Sequence, residues 1–128
     1  MNLTRRTNIC CYHSFEIMDK ERYNERICRI IWHDALQRST KPFLWGIQFS
    51  SIKVVDNGTE FMFQNHKITG KVIILYSEST ELFDVTVIPD NYEGSPIIIE
   101  DVKIGILVSV INKLIFGCHE LVEHGVAV

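Results

Sequence analysis

The run Cys118-His119-Glu120-Leu121-Val122-Glu123-His124 gathers the residue types of a zinc peptidase helix. Hydrolysis by helix-bound zinc needs His-Glu-x-x-His, which sets two imidazoles on one face with a general base between them. Here Glu123 stands where the second histidine is required. The inverted order needs His-x-x-Glu-His, and three residues separate His119 from Glu123. His119 and His124 are five positions apart, about 140° around a helix, so they cannot chelate one ion as an i,i+4 pair does. The run reads instead as a solvated helix end in which His and Glu pair at i,i+4. Cys10, Cys11 and His13, with Cys28 or His33, offer ligand types as well. They lack the paired spacing of a zinc site. No metal and no cofactor are expected.

Nucleophilic chemistry finds no better footing. A reactive cysteine needs a partner histidine and an activating environment. Cys28 lies on a helix between Ile27 and Arg29, and Cys118 falls on an apolar stripe. Both read as small core hydrophobes. The chain has no Gly-rich phosphate loop, no Gly-x-Ser-x-Gly elbow and no dinucleotide fingerprint. Asp84 and Asp101 are lone carboxylates. With no polar constellation at catalytic spacing, an enzyme is not the expected class.

Two features suit binding. Arg22, Arg26, Arg29 and His33 run along one side of a helix and could meet phosphates or an acidic partner. Glu21 and Glu25 are interleaved, however, and Glu25 to Arg29 is a favourable i,i+4 pair. The polar loop 89–96 carries Tyr92 between Asn91 and Glu93, a plausible recognition residue beside the plainer reading of a simple connection.

The elements that position these residues follow from periodicity. Residues 19–38 read as an amphipathic helix, with Asp19 as N-cap and Tyr23, Ile27, Ile30, Ile31 and Ala35 at helical spacing. Pro42 ends it. From residue 43 the period changes to two. Ile47 and Phe49 alternate, then Ile52 and Val54 on the opposite parity, so a bulge at Ser50-Ser51 or a meeting of two short strands is expected. Asn57-Gly58 marks a tight hairpin turn. Phe61 and Phe63 then share one face and Met62 the other. Ile68, Val72, Ile74 and Tyr76 oppose Ile73 and Leu75, and Phe83, Val85 and Val87 oppose Asp84 and Thr86. Glu100-Asp101 reads as the acidic start of a second helix. Its stripe runs from Ile104 past Gly117, with a break at Gly117 as the alternative.

The resulting fold class is α+β: an antiparallel four-stranded meander, since short turns exclude parallel strands, with an N-terminal and a C-terminal helix packed on it. At 128 residues, 46% hydrophobic and 23% charged, the chain fits one domain of average composition. Residues 18–128 are read as that domain. Residues 1–17 are read as a tail, disordered or laid on the core through Tyr12 and Phe15.

A net charge of −3 argues against a protein devoted to non-specific nucleic-acid binding. The charge is unevenly spread, net +2 over residues 1–40 and −5 over 41–128. The N-terminus lacks a signal-peptide pattern, and no apolar run approaches the length of a membrane span. The cytoplasm is the expected compartment, with the four cysteines as free thiols. If both helices share one face of the sheet, the other exposes Met62, Ile73 and Leu75. The expected function is therefore a non-enzymatic interaction module. It would bind a protein partner or a second copy, through that face or through the loop with Tyr92. The alternatives are an accessory regulator touching nucleic acid through Arg22, Arg26 and Arg29, and an unrecognised ligand-binding or enzymatic domain.

Overall fold

The computed structural model describes the backbone of residues 7–90 and 96–124, and the side chains of residues 19–90 and 96–117. Helix α1 spans Thr7–Ile30, strands β1–β5 span Ile47–Val55, Gly58–Gln64, Thr69–Ser77, Leu82–Pro89 and Ile97–Val102, and helix α2 spans Leu107–His124. The sheet is an antiparallel meander in the order β1-β2-β3-β4-β5.

The alternation along β2, β3 and β4 decides which face is core. Phe61, Phe63, Val72, Ile74, Phe83, Val85 and Val87 are all buried. They join Ile27 of α1, Ile31 of the turn that follows it, and Leu107, Ile111 and Ile115 of α2 in a single cluster. Both helices thus cover the same face. Polar groups inside this layer are satisfied. The Trp45 indole Nε1 donates to Asn112 Oδ1 at 2.9 Å. Trp32 Nε1 donates to Thr59 Oγ1 at 3.1 Å, and the buried Thr59 hydroxyl donates to the Lys53 carbonyl at 2.9 Å. Buried groups of this kind are costly unless paired.

Four expectations need correction. The sheet has five strands, because Ile97–Val102 pairs with β4. Glu100 and Asp101 therefore lie in β5 and do not open a helix. Asp101 takes a φ of 60°, and its N–H donates to Asp84 Oδ1 at 3.1 Å. This is a bulge held by a long-range contact. Asp19 is not a helix start either, since α1 begins at Thr7. Capping preference is local, and a continuing helix overrides it. Finally, the first helix does not stay α-helical to residue 38. It turns π-helical over Ile31–Ala35 and then 3-10 over Leu36–Arg38. The side chains of residues 1–17, read as a tail, lie outside the described residues.

The first hairpin turn is shifted by one residue. Val55 pairs with Gly58, so Asp56 and Asn57 are the central residues, and Asn57 carries the positive φ of 65°. Gly58 serves a different need. A Cβ there would lie 1.9 Å from the Ile74 carbonyl oxygen, so only glycine lets β3 come this close. Asn24 of α1 anchors the turn from the helix layer. Its Nδ2 donates to Asp56 Oδ1 at 3.1 Å, and its Oδ1 accepts the Asn57 N–H at 2.9 Å. Helix α2 runs through Gly117 to His124 without a break.

Candidate functional site

The face of the sheet away from the helices carries Met62, Ile73 and Leu75 together. Register sets Ile73 between Glu60 and Thr86, with Ile98 next across on β5. Met62 lies beside Lys71, and Ile88 follows on β4. Leu75 lies beside Asp84. Met62 and Leu75 are 39% and 37% exposed, and Ile98 is 57% exposed. The patch is not purely apolar. Lys71 Nζ meets Glu60 Oε2 at 3.6 Å across its middle. Tyr92, the fourth expected contact residue, lies outside the described residues.

Arg22, Arg26 and Arg29 are all exposed on α1. The expected Glu25–Arg29 pair does not close, and among the described residues none of the three arginines reaches a carboxylate. Arg26 instead lies over the Tyr23 ring, 5.7 Å from its centre. Tyr23 lines a mixed polar cleft with Lys20, Tyr76, Glu78 and Asp84, about 580 Å³ in volume. Partial desolvation there pushes the Tyr23 hydroxyl above its ordinary value of 10.0, helped by the Glu78 charge and Tyr76 and opposed by Arg26. The phenol stays protonated at neutral pH.

Among the described residues no three His, Cys, Asp or Glu side chains gather as metal ligands would. The expected helix-end pairs of His119, Glu120, Glu123 and His124 lie outside the described side chains, as do Cys10, Cys11 and Cys118. Cys28 is buried and free. Among the described residues no helix is long and apolar enough to cross a membrane.

Sequence reasoning missed a third surface. Between the π turn, the 3-10 segment Lys41–Leu44 and β1 lies a groove of about 570 Å³. Trp32, Leu36, Ile47 and Ile52 form its walls, with Phe43 and Phe49 at its mouth. Phe43, Leu44 and Phe49 are 81%, 66% and 70% exposed, the highest values among the large hydrophobic residues described. The bulge in β1 exposes Phe49. Between the pairs Gln48–Met62 and Lys53–Glu60, five positions of β1 are spanned by only two of β2. The Ser51 hydroxyl fills the gap in the ladder, accepting the Met62 N–H at 2.8 Å and donating to the Gln48 carbonyl. A usable signal was present: Phe43-Leu44-Trp45 places three large apolar residues directly after a helix-stopping proline, where a polar loop is the norm.

Comparison with family models, curated proteins and solved structures finds no match to this chain.

Proposed function

We propose that this protein is a small cytoplasmic interaction module that holds a protein partner, or a second copy of itself, against the open face of its sheet. One observation carries the proposal: both helices pack on a single face, leaving Met62, Ile73 and Leu75 on the other, with the Lys71–Glu60 ion pair crossing between Met62 and Ile73. Exposed apolar side chains interspersed with charge suit a protein contact. The free buried thiol of Cys28 is compatible with a reducing compartment.

The double variant Ile73→Lys with Leu75→Lys tests this. Each new lysine gains a cross-strand carboxylate, Glu60 or Asp84, so the fold tolerates it. Association, measured as solution mass by light scattering or as capture of an unlike partner, is expected to weaken by at least about tenfold, or 1.4 kcal/mol. Undiminished association in a folded double variant contradicts the proposal.

The exposed arginines of α1, none of which meets a carboxylate among the described residues, favour nucleic-acid contact as a second reading. Three phosphate contacts would give a salt slope of about −2.7 in log K against log salt. Replacing Arg22, Arg26 and Arg29 by alanine would then abolish binding. No binding to duplex DNA or RNA at low salt removes this reading.

A further inference from the structure

The groove at the β1 edge is a second surface, separate from the open sheet face, and its chemistry is more selective. Its walls are pre-formed. Trp32 is tied to Thr59, and Trp45, the buried neighbour of the lining residue Gly46, to Asn112. The Asn65 side chain donates to the Trp45 carbonyl at 3.0 Å, and the Gln64 N–H donates to the Gly46 carbonyl at 2.8 Å. A groove so anchored does not need to be ordered by what it binds.

The charge beside it is one-sided. No charged side chain lines the groove itself. Every wall except Trp32 comes from residues 36–52, and the two charged residues of that stretch, Arg38 and Lys41, are both basic, in a chain of net charge −3. Arg38 and Lys41 are exposed, and among the described residues neither reaches a carboxylate. The nearest acidic residue along the chain, Asp34, is bonded to its own neighbour His33 at 3.0 Å. A group that matches both the apolar lining and the cations beside Gln37, Ser39 and Pro42 brings bulky apolar surface and negative charge together. The apolar track also runs past the cavity, because Leu44 is exposed but is not part of the groove wall. A small molecule seated in the groove leaves Leu44 and the outer sides of Phe43 and Phe49 in water. A peptide laid across it covers all three.

We infer that this groove takes an acidic segment of a partner protein, with a bulky aromatic or aliphatic side chain inserted between Phe43 and Phe49 and with carboxylates meeting Arg38 and Lys41. Aromatic anchors in pockets and charged rims are how such contacts divide affinity from selectivity.

Selection of random dodecapeptides on the immobilised full chain tests the inference. The enriched peptides are expected to combine Trp, Phe or Leu with several Asp or Glu. Fluorescence anisotropy of the best synthetic peptide should show binding that weakens with salt. The charge reversal Arg38→Glu with Lys41→Glu should weaken it by at least about tenfold, and Phe49→Glu should do the same. All three positions are exposed, so circular dichroism should be unchanged. Ile73→Lys with Leu75→Lys should leave peptide binding intact, which separates this groove from the open face. The inference is overturned by any of four results: no enrichment, enriched peptides without acidic residues, binding indifferent to the charge reversal, or occupancy by something else. The last would show as dodecanoate binding without peptide binding, or as a dimer of the full chain that Phe49→Glu dissolves.

Discussion

Phe61→Ala is expected to cost about 3–5 kcal/mol, a large part of the roughly 5–15 kcal/mol that holds a domain of this size folded. Phe61 is fully buried in the central part of β2. Its ring lies 5.2 Å from that of Trp32 and stacks at 6.3 Å, nearly parallel, on Trp45. These two tryptophans come from the helix layer and from the connection into β1. Truncation opens a cavity where three parts of the chain meet, and each tryptophan is held by a hydrogen bond that resists collapse into it. Met62, the next residue, points to the other face. Met62→Ala should cost less than about 1 kcal/mol, as changes at half-exposed positions do. The measurement is the urea midpoint of both variants at constant slope. Similar midpoints for the two would mean that the assignment of faces along β2 is wrong.

Gly46→Ala is the second large effect. Gly46 sits just ahead of β1 with a φ of 76°, and a Cβ would fall 1.8 Å from the Gln64 carbonyl oxygen and 2.7 Å from its carbon. Backbone, not a movable side chain, blocks it. The Gln64 N–H already donates to the Gly46 carbonyl at 2.8 Å, so the two segments cannot separate without losing that bond. Left-handed strain and overpacking together are expected to cost about 3 kcal/mol. Gly105 is the internal control. Nothing lies within 4 Å of a Cβ there, and Gly105→Ala should be neutral or stabilise by about 0.5 kcal/mol through the unfolded chain. Thermal unfolding of the two variants decides. Equal midpoints would mean that the β1–β2 approach at Gly46 is looser than described. Gly46 also lines the groove, so the alanine variant is expected to weaken peptide binding as well.

Much of this architecture was legible in the residues. Strands β2, β3 and β4 are half-buried, so period two sorts their side chains onto two faces. Phe61, Val72 and Val85 were placed inward, and Met62, Ile73 and Leu75 outward, from parity alone. The irregularity at Ser50-Ser51 was legible as well, because Ile47 and Val54 cannot share one face without a slip. Its size was not, since the Ser51 hydroxyl that completes the ladder is a matter of three-dimensional contact. Glu100-Asp101 misled because acidic residues before an apolar stripe suit a helix start and a bulged edge strand alike. The bond from the Asp101 N–H to Asp84 selects the strand, and that partner is 17 residues away. Asp19 misled for a related reason, as a good cap residue says nothing about the turns before it. The groove was the least legible feature. It is assembled from a π turn, a 3-10 turn and a bulge, and none of these has a hydrophobic period to read. The candidate contact residues Met62, Ile73 and Leu75 emerged because they share a regular face. Phe43 and Phe49 did not, because they stand where regularity fails.

A photo-crosslinking amino acid at position 75 would show whether the open sheet face meets another protein. The full chain carrying it at Leu75, and a control carrying it at the exposed Lys113 of α2, would be irradiated in an extract of the source cells. One dominant covalent product is expected from position 75, identified by mass as a second copy or as an unlike protein, and none of that product from position 113. Equal products from both positions, or none from position 75 while the free chain stays folded, would contradict the proposed contact.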